Sequence, residues 1–308
     1  MYDVIIVGAG PAGSAAALYA HRLGLNCILL DKAVFPRDKI CGDALSGKSV
    51  RLMRELDLLD GLEQLEGSEI NRITFGSPSH SQFDVYLKGN KNNDHIKKGY
   101  VIPRKIFDNF LFEKANKVTE TRQGFTVSDI VYQGNAISGV RGANNEGHEE
   151  ILEAPIIMGC DGANSIVARK LGLYEMDMEN TAVAIRCYYE GVEGLSDQIE
   201  LHYVDEVKPG YFWLFPAGEG KANIGIGLSK NDAKKDDRTL RQIMDEIVQS
   251  DYFRSRFGNA HPLEKPVGWN LPLGRIQRKN HGDGFMLLGD AAGLVDPFTG
   301  EGIGNAMV

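Results

Sequence analysis

Gly8-Ala9-Gly10-Pro11-Ala12-Gly13 places three glycines in the spacing GxGxxG, and Asp31 follows 18 residues after the last of them. Together these suit a pyrophosphate. The first glycine makes a tight turn, the second lets the main chain approach the phosphates, and the third lets a helix pack closely on a strand. Phosphates rest on the free amides of that helix, where the dipole favours anions. A carboxylate at the end of the next strand accepts ribose hydroxyls. The motif by itself leaves FAD and NAD open.

Three later segments bear on that choice. Gly159-Cys160-Asp161-Gly162-Ala163-Asn164-Ser165, with Arg169 beyond, is an Asp-Gly turn from a strand into a helix. Gly289-Asp290-Ala291-Ala292 opens a second such turn, which runs on through Asp296-Pro-Phe-Thr-Gly300 to Gly302, Ile303 and Gly304. Arg104 with Phe107 and Asp108 forms the third. Any one alone could be a turn without a ligand.

Two more segments have chemistry of their own. In Phe35-Pro-Arg37-Asp-Lys39-Ile-Cys41-Gly42-Asp43, a thiol lies near two cations, which favour thiolate if close. The bland reading of Cys41 is an inert buried thiol. Pro209-Gly-Tyr211-Phe-Trp213-Leu-Phe215-Pro216 precedes Ala222-Asn-Ile-Gly225-Ile-Gly227. Tyr211, Trp213 and Phe215 alternate, so they share one face of a strand, either as core or as the wall of an apolar cavity. The other cysteines, Cys27, Cys160 and Cys187, lie in strand-like segments, with no CxxC pair or ligand spacing, so neither a metal centre nor a disulfide framework is expected.

The elements that must position these residues follow from periodicity. Val4–Val7 and Cys27–Asp31 are unbroken apolar runs, as in parallel strands buried on both faces. Between them a helix from Ser14 stops at Gly24, giving a complete βαβ unit. An amphipathic helix is expected over about Ser49–Leu59, and Ile102–Lys117 reads as a strand end followed by a helix. Short antiparallel strands are expected over Glu69–Tyr86, with a polar hairpin tip at Lys88–Lys98. A β-meander is expected over Thr126–Val140, and further buried strands at Ala154–Asp161 and Gly284–Asp290. Alternating strands fill Thr181–Ser229, and Asp232–Arg256 reads as one charged helical stretch. Glu301–Val308 starts a helix without a cap, and a further C-terminal region is expected beyond it.

The chain has 308 residues, 43% hydrophobic and 25% charged, which is the composition of a globular α/β protein with room for two domains. Its net charge of −8, with no basic stripe, argues against nucleic acid as a partner. No apolar run approaches the roughly 18 residues of a spanning helix, so a cytoplasmic protein is expected.

In their order, the GxGxxG, Asp-Gly and Gly-Asp segments resemble the flavoprotein family typified by para-hydroxybenzoate hydroxylase. The loop at Cys41 and the YxWxFP…GxG pattern are similar to those of the geranylgeranyl reductase family within it, with Ala44 standing where that family has a glycine. The likeness covers residues 1–308. It implies non-covalent FAD, held by Gly8, Gly10, Ala12, Gly13 and Asp31, with main-chain contact to adenine near Val127. It also implies Cys41, Gly42, Ala44, Arg104, Asp161, Asp290, Gly302 and Ile303 on the cofactor, and Tyr211, Trp213 and Phe215 on the substrate. Cys41 becomes the candidate catalytic residue.

The resemblance implies a Rossmann-like α/β FAD-binding domain, expected over 1–70, 99–175 and 266–308. A mostly antiparallel substrate domain is expected at 71–98 and 176–265. The implied reaction is reduction of carbon–carbon double bonds in a prenyl lipid, with electrons from NAD(P)H or a reduced protein carrier and with peripheral membrane contact. The alternative on the same fold is an FAD-dependent monooxygenase or halogenase.

Overall fold

The computed structural model describes residues 1–87, 98–174, 178–275 and 277–308. The expected hairpin tip at Lys88–Lys98 lies outside the described residues except for Lys98. Two compact units are formed, Met1–Asp38 with Lys105–Met176 and Pro272–Val308, and Lys39–Arg104 with Asp177–Leu271. Residues 39–70, 99–104 and 266–271, expected with the dinucleotide domain, fall in the second unit. Their strands Ala44–Leu45, Ser68–Ile70 and Gly99–Val101 pair with one another in a small antiparallel sheet, and Ile70 and Val101 join the core around Trp213.

The first unit is built on a six-stranded sheet. Its spatial order is His281–Gly282, Phe285–Leu287, Ile156–Gly159, Val4–Val7, Cys27–Asp31 and Glu120–Gln123. All pairings are parallel except the hairpin at the His281 edge. Val4–Val7 at its centre is buried along its whole length, as its unbroken apolar run requires. The helix Pro11–Arg22 begins three residues earlier than expected, because proline at the first helical position has no amide to lose. Its Ala12, Ala17 and Ala20 pack against Val4, Ile6 and Leu29. A Cβ on Gly13 would lie 1.8 Å from the Gly8 carbonyl oxygen, so this helix sits on the strand only because the position has no side chain. A three-stranded meander, Phe125–Gln133, Ala136–Asn144 and Glu149–Glu153, joins the core beside Ile5, Ile28 and Ile157.

The second unit contains an eight-stranded, mostly antiparallel sheet. Thr181–Glu190, Lys221–Ser229, Tyr211–Pro216 and Gln198–His202 lie side by side, followed by Arg72–Gly76, which pairs in parallel with Gln198–His202, and by Gln82–Tyr86. Period-two alternation sorts its residues. Phe212, Leu214, Ile224 and Ile226 pack with Ile243, Met244 and Ile247 of the helix Leu240–Gln249, while Trp213 and Phe215 belong to a separate core on the opposite face. The single helical stretch expected over Asp232–Arg256 is three helices, Lys230–Ala233, Leu240–Gln249 and Arg254–Phe257. Ser229 caps the first, and Thr239 with Gln242 closes a capping box on the second, so each restart is written in a side chain. The helix expected over Ser49–Leu59 likewise divides into Gly47–Glu55 and Leu59–Leu62. No helix among the described residues is long and apolar enough to cross a membrane.

Glu200 is buried on the helix side of this sheet. It takes two hydrogen bonds from Arg256, at 2.6 and 2.9 Å, and contacts His202 Nε2 at 2.9 Å. Burial works to raise its carboxyl, but the bonds from His202 and Arg256 outweigh that and hold it at about 2. Arg256→Met, which leaves the carboxylate buried without its cation, is expected to destabilise the chain by about 3–5 kcal/mol in urea unfolding. Glu200's share of stability is fully present above 4.5, the ordinary value of a glutamate, and is lost as the pH falls toward 2.

Candidate functional site

Ten of the residues singled out in the sequence lie in the first unit. Gly8 turns with φ +101°, and a Cβ there would lie 2.4 Å from the Cys160 carbonyl oxygen. A Cβ on Gly10 would meet only Arg37 Nη2, at 3.4 Å, so the turn is open on that side. Ser14 is the first residue to give its amide to the helix, through Gly10 O at 2.9 Å. The amides of Ala12 and Gly13 precede it and have no intrahelical acceptor. A pyrophosphate fits this cradle, with the Arg37 guanidinium beside it.

Asp31 fixes the turn as well as ending its strand. Its Oδ2 accepts from Ala9 N at 2.7 Å and its Oδ1 from Ala33 N at 2.8 Å. A carboxylate has about four acceptor positions, which leaves lone pairs for ribose hydroxyls. Val127 points into the core and pairs with Gly142, so only its main chain is available to a ligand. Asp161 is spent locally. Its Oδ1 accepts from Ser165 Oγ at 2.6 Å and its Oδ2 from Ile166 N at 2.6 Å, which caps the helix Ile166–Lys170. Asp290 lines a shallow concavity with Ala163, Tyr174 and Arg278, and a Cβ on Gly302 would lie 3.4 Å from Asp290 Oδ1. Ile303 is buried at the start of the helix Ile303–Met307.

The second unit brings together Cys41, Gly42, Ala44, Arg104, Tyr211, Trp213 and Phe215. Three strands supply aligned rows. Arg186 faces Gly225 and Trp213, and Tyr188 faces Asn223 and Phe215. Trp213 lies across the bare Gly225, where a Cβ would be 2.3 Å from its ring, and its Nε1 donates to Asn223 Oδ1 at 2.9 Å. Asn223 Nδ2 in turn donates to the Cys41 carbonyl at 2.8 Å and to Asp43 Oδ2 at 2.7 Å. A Cβ on Gly42 would lie 3.1 Å from Phe215, so that ring closes on the loop. Trp213 and Phe215 are therefore buried supports of the loop, while Tyr211 and Tyr188 remain half-buried.

Asp43 is the residue the sequence did not single out. It is fully buried, with φ +69°. Its Oδ2 accepts from the Tyr188 hydroxyl as well as from Asn223, and its Oδ1 accepts from Arg104 N at 3.3 Å. Burial pushes its carboxyl up to about 6, against the hydrogen bonds from Tyr188 and Asn223 and the charges of Arg186 and Arg104. The half-buried Cys41 Sγ accepts from Asp43 N at 3.4 Å. The cations expected beside this thiol have other tasks. Arg37 pairs with Asp108 at 2.5 Å, and Lys39 lies over the Trp269 ring at 4.0 Å. Asp43 and Asn223 both stood in segments noted for other residues, whereas nothing local marked Arg186 or Tyr188.

The GxGxxG cradle at the end of a parallel strand, with its helix and the carboxylate of Asp31, defines a dinucleotide-binding protein of the Rossmann-like class. The whole chain, residues 1–308, matches the FAD binding domain family. It is 33% identical to digeranylgeranylglycerophospholipid reductase of Methanosarcina acetivorans, over 100% of this chain and 72% of that protein. It is 32% identical to menaquinone reductase of Mycobacterium tuberculosis H37Rv, over 98% of this chain and 72% of that protein. Among solved structures, a geranylgeranyl bacteriochlorophyll reductase-like protein from Thermoplasma acidophilum superposes with TM-score 0.87 at 25% identity, covering 99% of this chain and 75% of the other. A flavin-dependent brominase superposes with TM-score 0.85 at 22% identity, covering 99% and 76%, a likeness of fold alone. The chain belongs to the FAD-binding family, and within it to the geranylgeranyl reductases.

The raised Asp43 carboxyl makes stability depend on pH. Between 3.8, the ordinary value of an aspartate, and about 6 the folded chain holds this proton more tightly than the unfolded one. Asp43 thus favours folding most below pH 3.8, and that contribution declines by about 3 kcal/mol as the pH rises to about 6. Asp43→Asn, neutral throughout, escapes the decline. Denaturant unfolding from pH 4 to 8 is expected to show the variant gaining on the wild type across that window, and a constant difference would contradict the assignment.

Proposed function

We propose that this chain is an FAD-dependent oxidoreductase that reduces carbon–carbon double bonds of a prenyl lipid. The observation that carries the reading is the aromatic face of Tyr211–Pro216 closed on the Cys41–Gly42 loop, in a chain related throughout its length to a digeranylgeranylglycerophospholipid reductase. An apolar face suits a prenyl chain, since burial contributes about 25 cal/mol per Å². Bound and reduced, FAD supplies the hydride. The chain's own residues bind and orient. Gly8, Gly10, Ala12 and Gly13 hold the pyrophosphate, Asp31 the ribose, and the Val127 main chain the adenine. Asp290, Gly302, Ile303, Arg104, Gly42, Ala44 and the main chain at Asp161 serve the rest of the cofactor. Tyr211, with Trp213 and Phe215 behind the loop, forms the substrate side.

An unactivated alkene has no oxygen on which charge can rest, so positioning of the double bond dominates catalysis. Electrons come from NAD(P)H or a reduced protein carrier, and anaerobic reduction with each decides between them. A lipid substrate calls for peripheral contact with a membrane surface, which flotation with lipid vesicles measures.

The test is anaerobic. Chemically reduced holoprotein mixed with a geranylgeranylated phospholipid or with menaquinone is expected to lose its reduced-flavin absorbance, with the lipid gaining two hydrogens per bond by mass spectrometry. Oxygen-dependent hydroxylation or halogenation of an added substrate, with prenyl lipids left unchanged, would favour the monooxygenase or halogenase alternative. Asp290→Ala removes a charge-assisted hydrogen bond of about 1.5–3 kcal/mol, and FAD affinity by fluorescence titration is expected to fall roughly tenfold to a hundredfold. Cys41→Ser and Cys41→Ala, compared at equal FAD content, test the thiol. Wild-type rates in both variants would leave Cys41 a packing residue.

A further inference from the structure

We propose that Asp43 and Tyr188 form the relay that supplies the proton for the double-bond reduction, an assignment that rests on the function proposed above. Asp43 is fully buried, whereas Tyr188 is half-buried in the same core as Tyr211, Trp213 and Phe215. The Tyr188 hydroxyl, bonded to Asp43 Oδ2, therefore links a carboxyl hidden from water to the aromatic face. Every other group around Asp43 favours the carboxylate left behind once a proton departs. Asn223 Nδ2 donates at 2.7 Å and Arg104 N at 3.3 Å. The titratable and charged neighbours are Tyr188 and Arg186 from the strand Thr181–Glu190, Arg104 from the start of its helix, and Cys41 within the loop. Arg186 lies over the Tyr188 ring at 4.4 Å and is ion-paired to Glu264.

A thiol, unperturbed at about 8.5, and a phenol, at about 10, are both weak acids for protonating an alkene carbon alone, so the carboxyl behind the phenol has to supply the proton in concert. A carboxyl raised to about 6 is the stronger acid, yet it keeps part of its proton near neutrality. In the step, the Tyr188 hydroxyl turns from Asp43 Oδ2 so that it accepts from the protonated carboxyl, and its O–H bond breaks as a C–H bond forms at one alkene carbon. The Asp43 O–H bond breaks as the phenol O–H is restored. The other carbon receives hydride, with its electron pair, from the reduced cofactor of the proposed reaction. Asp43 recovers its proton from solvent by the same path.

The experiment measures kcat/KM against pH for wild type, Tyr188→Phe, Asp43→Asn and Asp43→Glu with a prenyl substrate. Infrared titration of the protonated-carboxyl band in the protein without substrate accompanies it. Wild-type kcat/KM is expected to be flat below about pH 6 and to fall tenfold per pH unit above it, as for an essential acid. Tyr188→Phe and Asp43→Asn are expected to lose roughly a hundredfold or more in kcat with little change in KM, and Asp43→Glu to restore the pH limb. The infrared band is expected to vanish in Asp43→Asn. In Tyr188→Phe it is expected to titrate about one pH unit higher, because the carboxylate has lost a donor. Near-wild-type rates with an unchanged pH limb in Tyr188→Phe and Asp43→Asn would overturn the relay alone, as would an infrared titration indifferent to Asp43. A wild-type protein that no prenyl lipid reoxidises at any pH would overturn the proposed function and the relay with it.

Discussion

A carboxyl group removed from water has to be solvated by the protein itself, and in the second unit that requirement falls on Asp43. Its donors come from three places far apart in the chain, the start of the Arg104 helix, Tyr188 and Asn223. Those donors have to be held in turn. Trp213 holds Asn223, Gly225 leaves the room in which Trp213 lies, and Asn223 reaches on to the Cys41 carbonyl. Cys41, Arg104 and, through Asn223, Trp213 are thus linked to one buried group.

The first unit uses carboxylates differently. Asp31 and Asp161 each accept main-chain amides at the carboxyl end of a parallel strand, where the chain turns toward a helix or loop. Such bonds make two turns rigid without placing a charge in an apolar core. Asp108 is the exception, buried and matched by Arg37. Rigid turns and free helix amides are what a cofactor with a fixed pyrophosphate geometry requires.

Much of this was legible in the sequence because the signals are local. The turn at Gly8–Gly13, the strands Val4–Val7 and Cys27–Asp31, and the split of Phe212 and Leu214 from Trp213 and Phe215 all follow from spacing within about a dozen residues. Helix divisions in the 230–257 region were missed because charge hid the caps at Ser229 and Thr239. The Asp43 network was illegible for a different reason. Its bonds to Tyr188 and Asn223 span 145 and 180 residues, so no window of sequence contains both partners. Trp213 and Asn223 are only 10 residues apart, yet alternation shows which face Trp213 takes and not which partner the neighbouring strand sets against its ring. At Asp161 a helix cap and a ligand contact call for the same residue type in the same turn, so the sequence alone did not show its bonds to Ser165 and Ile166.

The discontinuity of the first unit has a consequence for how the chain is made. Ile156–Gly159 pairs on one side with Val4–Val7, and on the other with Phe285–Leu287, 128 residues later. On the ribosome the sheet can therefore gain its Val4, Cys27, Glu120 and Ile156 strands early, but its Phe285 edge stays open until nearly the whole second unit has emerged. Loop closure over that span is slow compared with local pairing. For that interval an apolar strand edge is left unpaired, and it is the stage of synthesis at which a chaperone has the most to shield.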